Sequence, residues 1–326
     1  MGGSEDIRHL TCAVRVVQIV VALAWAIVFN SIQLYVQKRL LEQTLAFYLS
    51  PKLVAKFASD RNILRKFLKP GAEKQTLTFL FTDIANFTSI TEGMDSDELA
   101  RNMNLYFEGA VTGCIHPQDG TVVKYIGDAI YAFWNAPEEQ SDHPWRACQA
   151  ALHFHDRITH QMNEQPLITR IGLHTGVANV GNFGSTERVD YTALGENVNL
   201  ASRMEGLNKY LGTRILATGE TYAAVARQLT ARGCGRFRLK GFEKAVDVYE
   251  LIGFSDAATA TQVWRDAFEC GLQAWRAGAF ADAGKAFRQV LEWHPNDGPA
   301  QFYLARIEEL KERPLNWSGE IELKEK

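Results

Sequence analysis

Apolar residues fill an uncharged run over residues 16–37, recur at helical spacing to about residue 57, and from residue 77 alternate between strand-like bursts and helical stripes. The first burst, Leu77-Thr78-Phe79-Leu80-Phe81, is rich in the β-branched and aromatic residues that strands favour, and it stops at Asp83. A helix is predicted over about 95–115, where Leu99, Met103, Tyr106, Phe107 and Ala110 share one face. In TVVKYIGDAIYAFW, two alternating runs at 121–126 and 129–134 flank Gly127-Asp128, which reads as a tight hairpin with Asp128 at its tip. A second amphipathic helix follows over 142–161, carrying Trp145, Ala147, Ala151, Phe154 and Ile158. Then come a strand over 168–177 with Arg170 and His174, a loop at 181–184 and an extended segment over 188–194. Gly195 opens a helix over 196–210, and short strands near 214–217, 237–239 and 247–251 complete this part.

The two ends follow other patterns. The uncharged run is dense in Val, Ile, Leu, Ala and Trp, long enough as a helix to cross about 30 Å of hydrocarbon. Gln18, Asn30, Ser31 and Gln33 weaken it, and a buried helix or a signal peptide are the alternatives. Lys38, Arg39, Lys52 and Lys56 after it outweigh Arg8 and Arg15 before it, which places the C-terminal side in the cytoplasm. Met1-Gly2-Gly3-Ser4 reads as a junction, raising the hypothesis of an upstream sensor that has been removed. Val36, Leu40, Leu41, Leu45 and Tyr48 form a short stripe fit for a signalling helix that pairs with its copy, and Ser50-Pro51 starts another helical stretch. Beyond a small-residue linker at 254–261, helices are predicted over 269–277, 280–293 and 299–310. Gly278-Ala279-Phe280, Ala283, Phe287, Leu291, Pro295 and Ala300 resemble a tetratricopeptide repeat. One repeat cannot bury a solenoid core alone, so it packs on a protein partner or on the preceding domain, or is a plain helical cap. The tail from 316 is polar and reads as extended.

Composition changes this picture little. With 35 basic and 38 acidic residues among 326, the net charge of −3 carries no nucleic-acid footprint. The five cysteines are scattered without metal-ligand or redox spacing and read as reduced thiols in a cytosolic domain. The expected layout is a tail (1–15), a transmembrane helix (16–37), a signalling helix and linker (38–73), a catalytic domain (74–253), a helical segment (254–313) and a tail (314–326).

Candidate chemistry begins at Asp83. A strand beside the 121–134 hairpin would bring Asp83 against Asp128, and two close carboxylates call for shared cations. A pair of divalent ions about 3.5–4 Å apart is the usual arrangement in phosphoryl transfer. Two unrelated turn aspartates are the plain alternative. Asn199 and Arg203 lie four apart on one helical face, where they would either meet solvent or reach sugar and phosphate groups.

The blocks FTDIANFTSI, KYIGDAIYAFW, RIGLHTGVANVGNFG and YTALGENVNLASRM, taken together and in this order, resemble the class III nucleotidyl cyclases over about residues 76–252. The resemblance implies an α+β, ferredoxin-like (βαββαβ) domain acting as a homodimer, with each active site formed between two chains. It implies two divalent metal ions (Mg²⁺ or Mn²⁺) on Asp83, Asp128 and the Ile84 carbonyl, with phosphates cradled by the amides of Phe87 and Thr88 and bound by Arg170. The second chain would supply Lys124 and Thr192 to read the base, Asn199 to orient the ribose and Arg203 to stabilise charge at the α-phosphate. Lys124 can donate to a purine-ring nitrogen and Thr192 can accept from an exocyclic amine, a pair that suits ATP. Relatives that use GTP place Glu and Cys there. Many adenylyl members have Asp where this chain has Thr192, and the Thr variant resembles the subgroup associated with bicarbonate or carbon dioxide responsiveness. The expectation is an adenylate cyclase of the cell (inner) membrane with its catalytic domain in the cytoplasm. The alternatives are a catalytically silent nucleotide-binding module and a helical-repeat scaffold.

Overall fold

The computed structural model describes residues 3–46, 54, 55, 57, 60, 62, 65, 67, 71–161, 167–185, 187, 189–310, 314 and 316–323. The helix start expected at Ser50-Pro51 lies outside them. The chain divides into two units, Met1–Ser59 and Asp60–Lys326.

In the first unit, helix α1 runs unbroken over Gly3–Ala46. It merges the expected membrane segment with the stripe that follows as far as Leu45, Tyr48 lying outside the described residues, because no Pro, and no Gly after Gly3, interrupts it. Within it, Gln18–Leu40 is long and apolar enough to cross a membrane.

The second unit is built on a mixed sheet. Strand β1 spans Gly71–Ile84, and after it come the one-turn helix α2 (Phe87–Thr91) and α3 (Ser96–Ala110). Asp95 caps α3 by accepting from the Asp97 and Glu98 amides. The hairpin of β2 (Thr121–Ile126) and β3 (Ala129–Trp134) has the predicted bounds. Helix α4 (His143–Gln161), β4 (Thr169–Gly184), β5 (Val189–Leu194) and α5 (Glu196–Leu211) follow. Next are β6 (Ile215–Thr218), α6 (Gly219–Val225), β7 (Leu229–Arg238) and β8 (Val246–Phe254). The chain continues in α7 (Ala258–Ala277), α8 (Phe280–Trp293), α9 (Gly298–Glu309) and the two-residue strand β9 (Ile321–Glu322).

The strand order is β2-β3-β1-β4-β6-β8-β7-β9, with β5 paired to β4 off this path. Strand β1 is antiparallel to both neighbours, β3 and β4. Its run 77–80 is buried on both faces, which is why it reads as continuously apolar rather than alternating. Leu80 and Ile84 pack with Ile130, Ala132 and Trp134 against Tyr106, Ala147, Ala151 and Phe154. Leu77 and Phe79 face the other way, with Tyr131, Phe133, Ala178, Val180 and Ala201. Helix α5 therefore lies on the face of the sheet opposite α3 and α4.

Four expectations are corrected. The loop expected at 181–184 is strand: Gly181 pairs with Thr192 of β5 and with Ala72 of β1, and two ladders outweigh the low strand propensity of glycine. Strand β1 starts at Gly71, six residues before the apolar burst, because its polar first half pairs with the far half of β4. The linker at 254–261 is a single 3₁₀ turn leading directly into α7, and the tail at 316 contains β9, parallel to β7.

Candidate active site

Asp83 sits near the C-terminal end of β1, directly across the ladder from Arg170 on β4. Its Oδ2 lies 3.6 Å from Arg170 Nη1, with both side chains partly exposed. Asp128 hangs from the β2–β3 tip, where the preceding Gly127 has φ +65°. Asp128 Oδ2 accepts a 2.9 Å hydrogen bond from the Ile84 N–H, which ties the hairpin tip to the end of β1. The strand order, with β3 beside β1, produces this meeting of Asp83 and Asp128.

Both carboxylates share one electrostatic environment. Burial and the Asp128 charge push the Asp83 carboxyl above the usual range, while Arg170 and Lys209 pull it back. A third carboxyl, Glu205 on α5, faces the same charges. Burial first, then Asp83 and Asp128, push it up to about 8 against the pull of Arg170. Sequence reasoning missed Glu205. The available signal is its place four residues after fully buried Ala201, on the stripe of α5 turned to the sheet rather than on the face of Asn199 and Arg203. No group of three His, Cys, Asp or Glu side chains arranged to hold one metal exists among the described residues.

Helix α5 reaches the site because β4 has Gly172 under it. A Cβ there would lie 2.1 Å from the Glu205 nitrogen and 2.5 Å from the Ala201 carbonyl oxygen. Buried Asn208 donates to the Ile171 carbonyl at 3.0 Å and pins the helix further along. At the other end, buried His174 holds the first turn of α5: Nε2 is 2.9 Å from Asn197 Oδ1, and Nδ1 is 2.8 Å from Thr218 Oγ1. The Asn197 amide donates to the Val177 carbonyl at 2.8 Å, so its oxygen faces the imidazole and Nε2 is the donor.

The remaining expected site residues fall in three places. The first-turn amides at Phe87 and Thr88 follow Asp83 by four and five residues, at a helix start where amides have no intrahelical partner. Exposed Lys124 on β2 is the ladder partner of Tyr131 on β3, and the Tyr131 side chain also lies against Thr192 on β5. Thr192 is buried, at 7% exposure. Asn199 is exposed and Arg203 half-buried on α5, and neither side chain makes a hydrogen bond or ion pair among the described residues. The chain thus joins Asp83, Ile84, Asp128 and Arg170 in one cluster, Lys124 and Thr192 around Tyr131, and leaves Asn199 and Arg203 unengaged.

Residues 70–253 match the family model described as the adenylate and guanylate cyclase catalytic domain. The chain is similar to adenylate cyclase 1 of Rhizobium meliloti, 36% identical over 67% of this chain and 33% of the relative. It is also similar to the adenylate cyclase of Anabaena cylindrica, 35% identical over 56% of this chain and 38% of the relative. The chain spans roughly a third of the length of these two curated relatives. Among solved structures, the adenylyl cyclase CyaB from P. aeruginosa aligns with a TM-score of 0.51 at 29% identity, covering 56% of this chain and 95% of that one. The guanylyl cyclase Cya2 aligns equally well, with a TM-score of 0.51 at 28% identity over 57% of this chain and 96% of that one.

Proposed function

The chain belongs to the adenylate and guanylate cyclase catalytic domain family, and from that premise we propose that it is an adenylate cyclase, converting ATP to 3′,5′-cyclic AMP and pyrophosphate in a homodimer with two shared sites. The observation that carries this reading is the bracket at the end of β1. Asp128 is hydrogen-bonded to the residue next to Asp83, and its charge raises the Asp83 carboxyl. Excess negative charge held in this way is what bound cations relieve.

Asp83, Asp128 and the Ile84 carbonyl are an all-oxygen donor set, suited to two Mg²⁺ or Mn²⁺ ions. When bound, such ions polarise phosphate oxygens and ease ionisation of the ribose 3′-hydroxyl. The chain's own residues do the rest. Arg170 pairs with the triphosphate in place of its long contact to Asp83. The amides of Phe87 and Thr88 receive phosphate oxygens. Asn199 orients the ribose and Arg203 stabilises charge at the α-phosphate, both reaching the cluster of the second chain, a reading supported by the absence of side-chain partners for them among the described residues. Lys124 and Thr192 read adenine, and their common neighbour Tyr131 supports treating them as a pair. The similarity to named adenylate cyclases of two organisms points the same way.

The strand order β2-β3-β1-β4, all antiparallel, with helices after β1 and after β3, supports the ferredoxin-like reading of a catalytic domain at 74–253. Helix α1 anchors the protein in the cell membrane through Gln18–Leu40, with the catalytic domain in the cytoplasm.

Incubation of the full chain with ATP and Mn²⁺ or Mg²⁺, followed by chromatography of the products, tests the activity. Absence of cyclic AMP from a confirmed dimer refutes it. Mixing Asp83→Ala with Arg203→Ala protein restores one intact site per heterodimer, about a quarter of the original activity after random exchange. No recovery despite subunit exchange refutes the cross-chain assignment.

A further inference from the structure

The C-terminal helices are not a free repeat. Leu200, Met204, Leu207 and Leu211 of α5 share one core with Phe268, Leu272 and Trp275 of α7, Phe287 of α8 and Tyr303 of α9. The Tyr303 hydroxyl donates to the Cys234 carbonyl on β7 at 2.8 Å, and β9 adds a strand to the same sheet. The segment packs on the preceding domain, through α5, β7 and β8.

Where α9 begins, it abuts the end of α5. Gly298 lies so close that a Cβ would stand 2.1 Å from the Leu211 carbonyl oxygen and 2.8 Å from Gly212 Cα. Gly212 is the left-handed cap that terminates α5, at φ +63°. The α9 side of this contact is held firmly. Fully buried Asp297 accepts from the Ala300 amide at 2.8 Å, and its other oxygen lies 2.7 Å from Arg232 Nη1 on β7. Arg232 also meets Glu250 on β8 at 2.7 Å, and its guanidinium lies 4.7 Å from the Trp264 ring and 4.6 Å from the Phe268 ring. A buried arginine hydrogen-bonded to Glu250, ion-paired with Asp297 and covered by aromatic faces braces the 297–298 turn.

We infer that the C-terminal helical unit is a positioning element of the active site: the Asp297-Gly298 turn is a stop that sets where α5 lies along its axis, and hence where Asn199 and Arg203 stand. An α-helix is stiff along its axis. A displacement imposed at Leu211 reaches Arg203, eight residues and about 12 Å away, almost undiminished. This inference rests on the proposed roles of Asn199 and Arg203, and exchange at α5 amides tests it separately from those roles.

The decisive variant is Gly298→Ala in the full chain, with Gly284→Ala as control. The control methyl, on α8, would meet only the flexible Arg288 side chain, at 3.4 Å and beyond. For Gly298→Ala the expected result is faster hydrogen–deuterium exchange across 196–211, with kcat for cyclic AMP down about tenfold and KM for ATP within about twofold. Gly284→Ala leaves all three unchanged. Asp297→Asn keeps a capping side chain but removes the charge facing Arg232, and shifts exchange in the same direction by less. Unchanged exchange over 196–211 in both Gly298→Ala and Asp297→Asn overturns the inference, as does a kcat loss matched by an equal loss of folded protein. If the wild-type chain makes no cyclic AMP, the functional reading fails and the exchange data alone decide this one.

Discussion

Gly172→Ala puts the placement of α5 to its most direct test. Gly172 lies within β4 and outside the positive-φ glycines, so alanine adds no backbone strain, and the destabilising effect is steric. The new Cβ would sit 2.1 Å from the Glu205 nitrogen, 2.5 Å from the Ala201 oxygen and 2.7 Å from Glu205 Cα, all of them helix backbone. Ordinary contact starts at 3.4 Å, so the helix has to withdraw by the difference, 3.4 − 2.1 = 1.3 Å. No flexible side chain stands between the two elements to absorb the shift. Overpacking of this kind costs about 1–3 kcal/mol of stability. The catalytic cost is larger, because a misplacement of about 1 Å can lower a rate on the order of 100-fold. The assay is steady-state cyclic AMP production beside thermal unfolding, with kcat corrected for folded fraction. The expected result is a modest drop in Tm and a loss in kcat far beyond it. A kcat within about twofold of wild type would show that α5 tolerates the shift, and the argument that its seating on β4 sets the site would be wrong.

Variants at Glu205, at His174 and at the Lys124–Thr192 pair read other parts of the site. Glu205 titrates near 8 in the folded chain against 4.5 unfolded, so the folded state binds the extra proton and stability falls as pH rises from about 4.5 to 8. Glu205→Gln in EDTA should flatten that limb and raise Tm at pH 8; an unchanged pH slope would place the carboxylate in water. His174 is held neutral by burial, so stability should fall as pH drops below about 6.5, where the unfolded chain takes up the proton first. His174→Gln should make that acid limb shallower, and His174→Ala should cost about 1–3 kcal/mol by removing the imidazole from Thr218 Oγ1 and Asn197 Oδ1; urea titration at pH 5.5 and 7.5 reads both, and identical slopes for wild type and Gln would exclude His174 as the titrating group. Lys124→Glu with Thr192→Cys should move preference from ATP toward GTP, measured as the ratio of kcat/KM values, and an unmoved ratio would remove both residues from base reading.

Local pattern was sufficient for much of this protein. The hairpin at 121–126 and 129–134 was legible to the residue, because its alternation and its Gly127-Asp128 turn are contained in fourteen consecutive positions. The helices carrying Tyr106, Phe154 and Met204 were legible for the same reason, as was the long apolar helix at the N-terminus. The candidate residues Asp83, Asp128, Arg170, Asn199 and Arg203 were picked out by motif. The meeting of Asp83 and Asp128 was expected, with two unrelated turn aspartates as the alternative, and the pairing of distant strands decides between them. Asp128 bonds to Ile84 only because β3 pairs with β1, 44 residues away in sequence. Glu205 joins the cluster only because Gly172 lets α5 settle onto β4, a rotation and depth that no helical stripe encodes. The strand at 181–184 and the tail strand β9 exist because partners lie beside them, against their own weak propensity. The repeat-like helices found their partner in the sheet by the burial of Phe268, Trp275 and Tyr303. Element type follows from torsional preference and periodicity over a few residues, whereas burial, register and close approach depend on which distant segments pack together, and that is settled only when the whole core forms.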